Sequence, residues 1–486
     1  MLHRKLLEVL SNLSLREQSR LRQYLASPYF NAGGQADDLI RLCDYLLAHR
    51  TRGADQAMTR AVVHRHIFPD QPYQEAPKTA LDYLVSDLFQ LVRGFLNQQA
   101  FEQSNDEIKE HLTMARFYRR IASDERFWLT IKAVRKRQEN SALRDSKFFL
   151  NQFLIEEEEL TFRGLNNAYQ DEMNLLAVHN FLDLQYSIQK LEYACLLTYQ
   201  RFFMEKKGAS TPTFLDEILQ YSSPGQYLDT PMIRIYRLIL QLLRQPGNAD
   251  ELFALEQLLN QHESQVGIEK WKELQGYVRH FWWRRYFKSG DVQSGNRIMA
   301  LYQEHLAKGY FYINGLLPLS AFRNLGMFGL KFGLIEWVKT LLDEHPPKRI
   351  GSTRFPQDAH RIMEAEYLFV LKDFEAAGEK LVYRLFENPL MSIQADVLLL
   401  KIYYETQNDL LETRMKALDQ KIRRSKRSMA IKKRYFNFLR FLNKINNYIW
   451  RDRQSKARSL LEEIQSTTVI IDREWLLEKA RQKIKH

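Results

Sequence analysis

Lys433, Asn437, Arg440 and Lys444 recur at spacings of 4, 3 and 4 residues in a part of the chain that is poor in acids. From 421 to 441 the sequence KIRRSKRSMAIKKRYFNFLRF holds nine cations and no Asp or Glu. Cations in a row on one helix face attract an acidic peptide, a helix bearing acidic residues, or a phosphate backbone. At 100° per residue the four side chains gather on one side as a polar ridge about 16 Å long. Opposite them runs an apolar stripe, Ile431, Tyr435, Phe438, Leu442, Ile445 and Ile449, at spacings of 4, 3, 4, 3 and 4. The stripe consumes Tyr435 and Phe438, so neither is free to stack on bases, and this favours an acidic protein partner over RNA or DNA. Nucleic acid bound through 421–458 is the alternative partner, and a plain solvated helix face is the reading that needs no partner. Arg423, Arg424, Lys426 and Arg427 fall at the end of the preceding helix, where the macrodipole favours cations without any ligand.

Other chemistry is sparser. His64 and His66 in VVHRHIF have no carboxylate or third histidine at a ligand spacing, so no metal is expected. The glycines of GDVQSGNR, 290–297, stand at the P-loop distance, but Asn296 occupies the lysine position and helix rather than strand precedes it; a hairpin turn is expected. No HExxH or GxSxG occurs, no catalytic set or cofactor is expected, and the chain reads as non-enzymatic. The acidic run 156–159 is expected to face Lys132, Arg135, Lys136 and Arg137 across a hairpin as exposed ion pairs. VRHFWWRRYFKSGD, 278–291, is expected to be a core helix, and SPYFN, 27–31, a structural turn in which Tyr29 and Phe30 pack underneath.

The net charge of +12 is local: 416–458 carries fifteen Lys or Arg against Asp419 and Asp452, and the remainder sums to −1. Cys43 and Cys195 stand alone, which suggests neither disulfide nor zinc and fits a reducing compartment. The first twenty residues interleave charges with leucines, unlike a secretory leader, and the longest uncharged run, 309–322, is broken by Gly315 and Pro318. A cytoplasmic protein without membrane spans is the expectation.

These side chains need elements to hold them, and the sequence reads as helices throughout. Glycine (19) and proline (13) are scarce. Ser14 with Glu17 forms a capping box that opens a helix at Leu15, ending before Pro28; further helices are expected over about 37–49 and 78–99. Farther on, tight turns recur at Asn248, Asp291, Gly333, Asp373, Asp409 and Asp452, separated by 43, 42, 40, 36 and 43 residues. That period accommodates two helices and two turns, and one such hairpin cannot bury its own stripe, so neighbours must stack.

AEYLFVLKDFEAAGEKL, with Tyr367, Asp373, Phe374 and Ala377, resembles a tetratricopeptide (TPR) hairpin, at a looser spacing than that family keeps. YLASPYFN, HIFPD and QKLEYACLL resemble an uncharacterised bacterial family of helical-repeat proteins. Turn spacing and the resemblance imply an all-α, TPR-like α-solenoid over 231–486, while caps, helix pattern and composition give a small N-terminal helical domain over 1–100, helical hairpins over 101–205, and a joint at 206–230, where Gly, Pro and Ser are densest. In TPR-like stacks the first helices of successive hairpins line a concave groove. The implied function is a scaffold or adaptor that binds a partner protein there, with Lys433, Asn437, Arg440 and Lys444 facing it.

Overall fold

The computed structural model describes residues 4–31, 33, 35–49, 59–75, 78–104, 106–165, 174–204, 213–222, 225–245, 247–351, 355–382, 386, 388–426, 428–447 and 453–485. Among them the fold is all-helical, apart from a two-residue parallel pairing of Leu317–Pro318 with Ile350–Gly351. No helix among the described residues is long and apolar enough to cross a membrane. Packing divides the chain into two compact units, 1–141 with 150–181, and 142–149 with 182–486. The division falls inside the helix Leu175–Met204 rather than at 100 or in 206–230. A Gly-, Pro- and Ser-rich stretch marks where helix stops, which is not where packing stops.

In the first unit the capping box forms as the sequence predicts: the Ser14 hydroxyl accepts from the Glu17 amide, the Glu17 carboxylate from the Ser14 amide, and the helix runs Leu15–Ala26. Helices Ala36–His49 and Ala80–Ser104 follow, and Leu21, Leu25, Leu42, Leu46, Leu88 and Val92 are buried together in one core cluster. In SPYFN, Phe30 stacks on Tyr24 at 4.1 Å, whereas Tyr29 stays 86% exposed instead of packing beneath the turn.

The acidic run departs from expectation. Glu156, Glu158 and Glu159 are buried on the helix Ser146–Leu165, and only Glu157 of the four is exposed. Four consecutive helical residues point in four directions, so they cannot share one wet face. Each inward carboxylate is clasped: Arg135 bonds Glu156 (2.8 Å) and Glu159, Arg116 and Arg119 bond Glu158 (3.0 and 2.7 Å), and Arg163 bonds Glu159 (2.7 Å). Asn174 adds an N–H to Glu156 at 2.7 Å. Of the four cations expected opposite, Arg135 is the one that reaches the run, and Arg137 pairs with Glu107 instead.

The second unit is built from successive helix pairs. Asn248, Asp291 and Asp373 cap the second helix of their pairs, Gly333 turns at φ +72, and Asp409 lies between Pro389–Glu405 and Leu411–Arg424; Asp452 falls outside the described residues. From Pro231–Arg244 to Met429–Asn446 each helix packs on its successor, and alternate helices also touch: Leu319–Lys331 on Pro356–Val370, and Pro356–Val370 on Pro389–Glu405. Gly295 lies against the Phe332 ring, where any Cβ would collide, so that glycine serves helix packing. In Met429–Asn446, Tyr435, Phe438, Leu442 and Ile445 are buried as the stripe requires, while Ile431, in the first turn, is 36% exposed. Ile449 lies outside the described residues. Leu439 and Phe441 are buried as well, because this helix packs on both Leu411–Arg424 and Arg473–Lys485.

On Ile268–Ser289, Phe281 and Trp282 are buried, but Phe287 is 53% exposed, so the core reading of 278–291 holds for part of its rings. Trp282 donates from Nε1 to Glu256 at 2.5 Å, and Arg297 bonds the same carboxylate. Burial holds His280 down to about 4, helped by Arg284, and holds His305 down to about 3, helped by Arg279. Both rings are thus neutral when folded and gain protons on unfolding once the pH drops below about 6.5. Their contribution is complete above that pH and is lost as the pH falls toward 4, at about 1.4 kcal/mol per pH unit per histidine. Urea midpoints measured at pH 7.5 and 5.5 are expected to fall accordingly, with a shallower fall in His280→Phe; equal slopes in variant and wild type would refute this assignment.

Candidate functional site

Three members of the predicted ridge are engaged within the chain. Asn437 donates from Nδ2 to the carbonyl of Val469 at 2.7 Å. Arg440 and Lys444 both pair with Glu463, at 3.3 and 2.6 Å, on the helix Arg453–Ser466. Lys433 is exposed and makes no side-chain bond among the described residues. The ridge therefore fastens Met429–Asn446 to the following helix pair. Elsewhere in the basic stretch Lys421 pairs with Asp396 at 2.5 Å and Arg423 with Asp419 at 2.6 Å; Arg424, Lys426 and Arg434 are exposed, and Arg427 lies outside the described residues.

A different set of side chains converges nearby. Arg323 on Leu319–Lys331, Glu366 on Pro356–Val370, Lys401 and Glu405 on Pro389–Glu405, and Phe438 on Met429–Asn446 all belong to alternate helices, the first of each pair. Onto this face the helix Arg473–Lys485 is fixed by charges and one indole. Asp472, just before it, pairs with Lys401 at 3.1 Å, and Glu474 pairs with Lys331 at 3.0 Å. Trp475 donates from Nε1 to Glu405 at 2.9 Å, and Lys479 meets the same carboxylate at 2.6 Å. The Trp475 ring lies edge-on to Tyr404 at 5.4 Å and 6.2 Å from Phe438.

The electrostatics are those of a largely buried network paired within the chain. Burial pulls Lys401 down, but Asp472 and Glu366 outweigh it and hold the ammonium above its ordinary range; the Phe369 ring, 4.7 Å away, adds a cation–π contact. Burial pushes the Glu366 carboxyl up, against the opposing pull of Lys401 and Arg323, and depresses Arg323 itself. This is a charged network between helices, with acid and base supplied by residues up to 143 positions apart.

None of Lys331, Lys401, Glu405, Asp472, Trp475 or Lys479 is marked by a local motif. The one available signal was Lys401, the single charge within VLLLKIYY, since a cation in so apolar a run must find a partner. The remaining sequence candidates are packed within the fold or lie at its turns. His64 is buried against Phe68 and Tyr73, His66 packs on Tyr45, and no group of three His, Cys, Asp or Glu among the described residues is arranged to hold a metal. Gly290, at φ +69, and Asp291 make the hairpin turn, and 292–297 open the helix Val292–Ala307, whose cap Asp291 accepts from Gln293 and Ser294. Burial pushes the Cys43 thiol up to about 12 and raises Cys195 also, which disfavours the thiolate in both. No protein-family model matches the chain, and comparisons with curated proteins and with solved structures give no match.

Proposed function

We propose that the chain is a non-enzymatic, cytoplasmic adaptor whose second unit is a TPR-like helical stack, and that the face shared by its alternate helices binds a helix of a partner protein. The observation that supports this reading is Arg473–Lys485, a helix already held on that face through Lys331, Lys401 and Glu405. Two lysines take acids at the start of the bound helix, and Glu405 takes an indole N–H and a lysine one and two turns on. A partner helix of the same kind, acidic at its start and aromatic shortly after, would compete with the chain's own helix.

The test uses a labelled peptide of residues 470–485 added to the full chain. Wild type, whose own helix is present at an effective concentration near millimolar, is expected to bind it poorly. Trp475→Ala loosens that helix and is expected to bind the peptide at least about tenfold tighter, an advantage abolished by adding Lys331→Glu. Equal binding by wild type and Trp475→Ala would defeat the proposal. Retention on a nucleic-acid column is expected to stay weak, because Lys421, Arg423, Arg440 and Lys444 are already paired with Asp396, Asp419 and Glu463.

A further inference from the structure

A cleft of about 640 Å³ opens within the second unit, among Ile268–Ser289, Leu319–Lys331 and residues 196–199. Arg279 lines it in an unusual state. Its Nη1 donates to His305 Nδ1 at 2.6 Å, and its guanidinium carbon lies 4.6 Å from the Phe311 ring centre. Among the described residues no carboxylate stands within ion-pair distance of it. Several inward arginines are matched by acids, as Arg135 is by Glu156 and Arg297 by Glu256, whereas Arg279, like Arg323, makes no such pair among the described residues. A desolvated cation without a counter-charge is costly, and an anion that arrives from outside would offset that cost. Burial lowers Arg279 to about 10, so it remains charged at neutral pH, while His305, as a neutral acceptor, orients it without cancelling that charge.

The surroundings restrict the anion. Glu273 lines the cleft and is bonded to Lys270 at 2.7 Å, and the same lysine holds Glu192 at 2.6 Å. Two acids around one lysine leave this edge net negative, which opposes phosphate dianions and polyanions but tolerates a single negative charge on Arg279. The walls are flat and apolar: Tyr277, Trp283, Tyr302 and Phe311, with Leu196 beside them. Gly276, one turn before Arg279, leaves ordinary contact distance to the guanidinium, 3.6 Å from where a Cβ would stand, and so keeps that side of the cleft clear.

We propose that this cleft binds a monocarboxylate carrying a flat apolar body, with Arg279 taking the carboxylate through paired N–H donors and the rings of Tyr277, Trp283 and Phe311 taking the body. The carboxylate belongs either to a free small acid or to the terminal residue of a peptide. The inference stands on the cleft alone and does not depend on the helix-binding face.

The full-length chain is titrated by calorimetry and ligand-observed NMR with phenylacetate, with its neutral isostere phenylacetamide, and with N-acetyl-Gly-Gly-Phe as free acid. Phenylacetate is expected to bind with a Kd of about 0.1–10 mM, phenylacetamide at least about tenfold more weakly. Arg279→Met is expected to lose at least about tenfold in affinity for the acids. Ser320→Trp, at an exposed position on the cleft, blocks entry without touching the guanidinium and decides the matter if Arg279→Met does not fold. Tighter binding of the tripeptide than of phenylacetate identifies a peptide terminus as the source, and the reverse identifies a free acid. The proposal is overturned by equal binding of acid and amide, by wild-type affinity in whichever of the two variants is folded, or by no saturable binding of either acid at about 10 mM.

Discussion

Arg135→Met is expected to destabilise the first unit by about 2–4 kcal/mol at neutral pH. The substitution keeps most of the side-chain volume, so the loss is electrostatic. It strands Glu156 and Glu159, whose side chains are 9% and 4% exposed, without their main donor. The lower part of the usual range for breaking a buried pair applies, because Arg135 is itself 32% exposed and Arg163 and Asn174 remain to hold the two acids. Urea unfolding of variant and wild type at pH 7 measures this directly. A gap below about 0.5 kcal/mol would mean that the clasp contributes nothing beyond a surface ion pair.

Trp475→Ala is expected to release Arg473–Lys485 while leaving the rest of the second unit folded. The ring is 9% exposed, and its removal abolishes the contacts with Tyr404 and Phe438 together with the N–H bond to Glu405. Truncating a buried tryptophan costs about 3–5 kcal/mol. Lys479 retains Glu405 and Glu474 retains Lys331, so the lower figure is the expectation. Amide exchange in 473–485 should then accelerate roughly hundredfold, with exchange in Pro389–Glu405 much less affected. Uniform acceleration across the unit would show that this helix is an inseparable part of the core and no separable occupant.

Much of the architecture could be read from local sequence, because caps, turns and stripes are local. Ser14 with Glu17, Asn248 with Glu251, and Asp373 each name a helix start by chemistry confined to a few residues. The 4, 3, 4 stripe of Met429–Asn446 named its buried side correctly from Tyr435 to Ile445. What lies opposite a stripe is not local. The ridge looks free until Glu463 and Val469 are folded back onto it, and the acidic run looks wet until arginines 21 to 42 residues away close over it. Composition counts charge, whereas a site depends on which charges remain unpaired. Arg279 shows the same limit in reverse: inside an aromatic stretch it reads as ordinary, and only the fold shows it bonded to a histidine with no acid at ion-pair distance among the described residues.

The bond between Lys331 and Glu474 spans 143 residues, and order of synthesis gives that span a meaning of its own. A ribosome adds about 5–20 residues per second, so the lysine waits roughly 7–30 s before its acid exists. Throughout that interval the nascent chain presents Lys331, then Lys401 and Glu405, without the segment that later covers them. A competitor that is present during translation meets an open surface, whereas one that arrives afterwards must first displace a tethered rival.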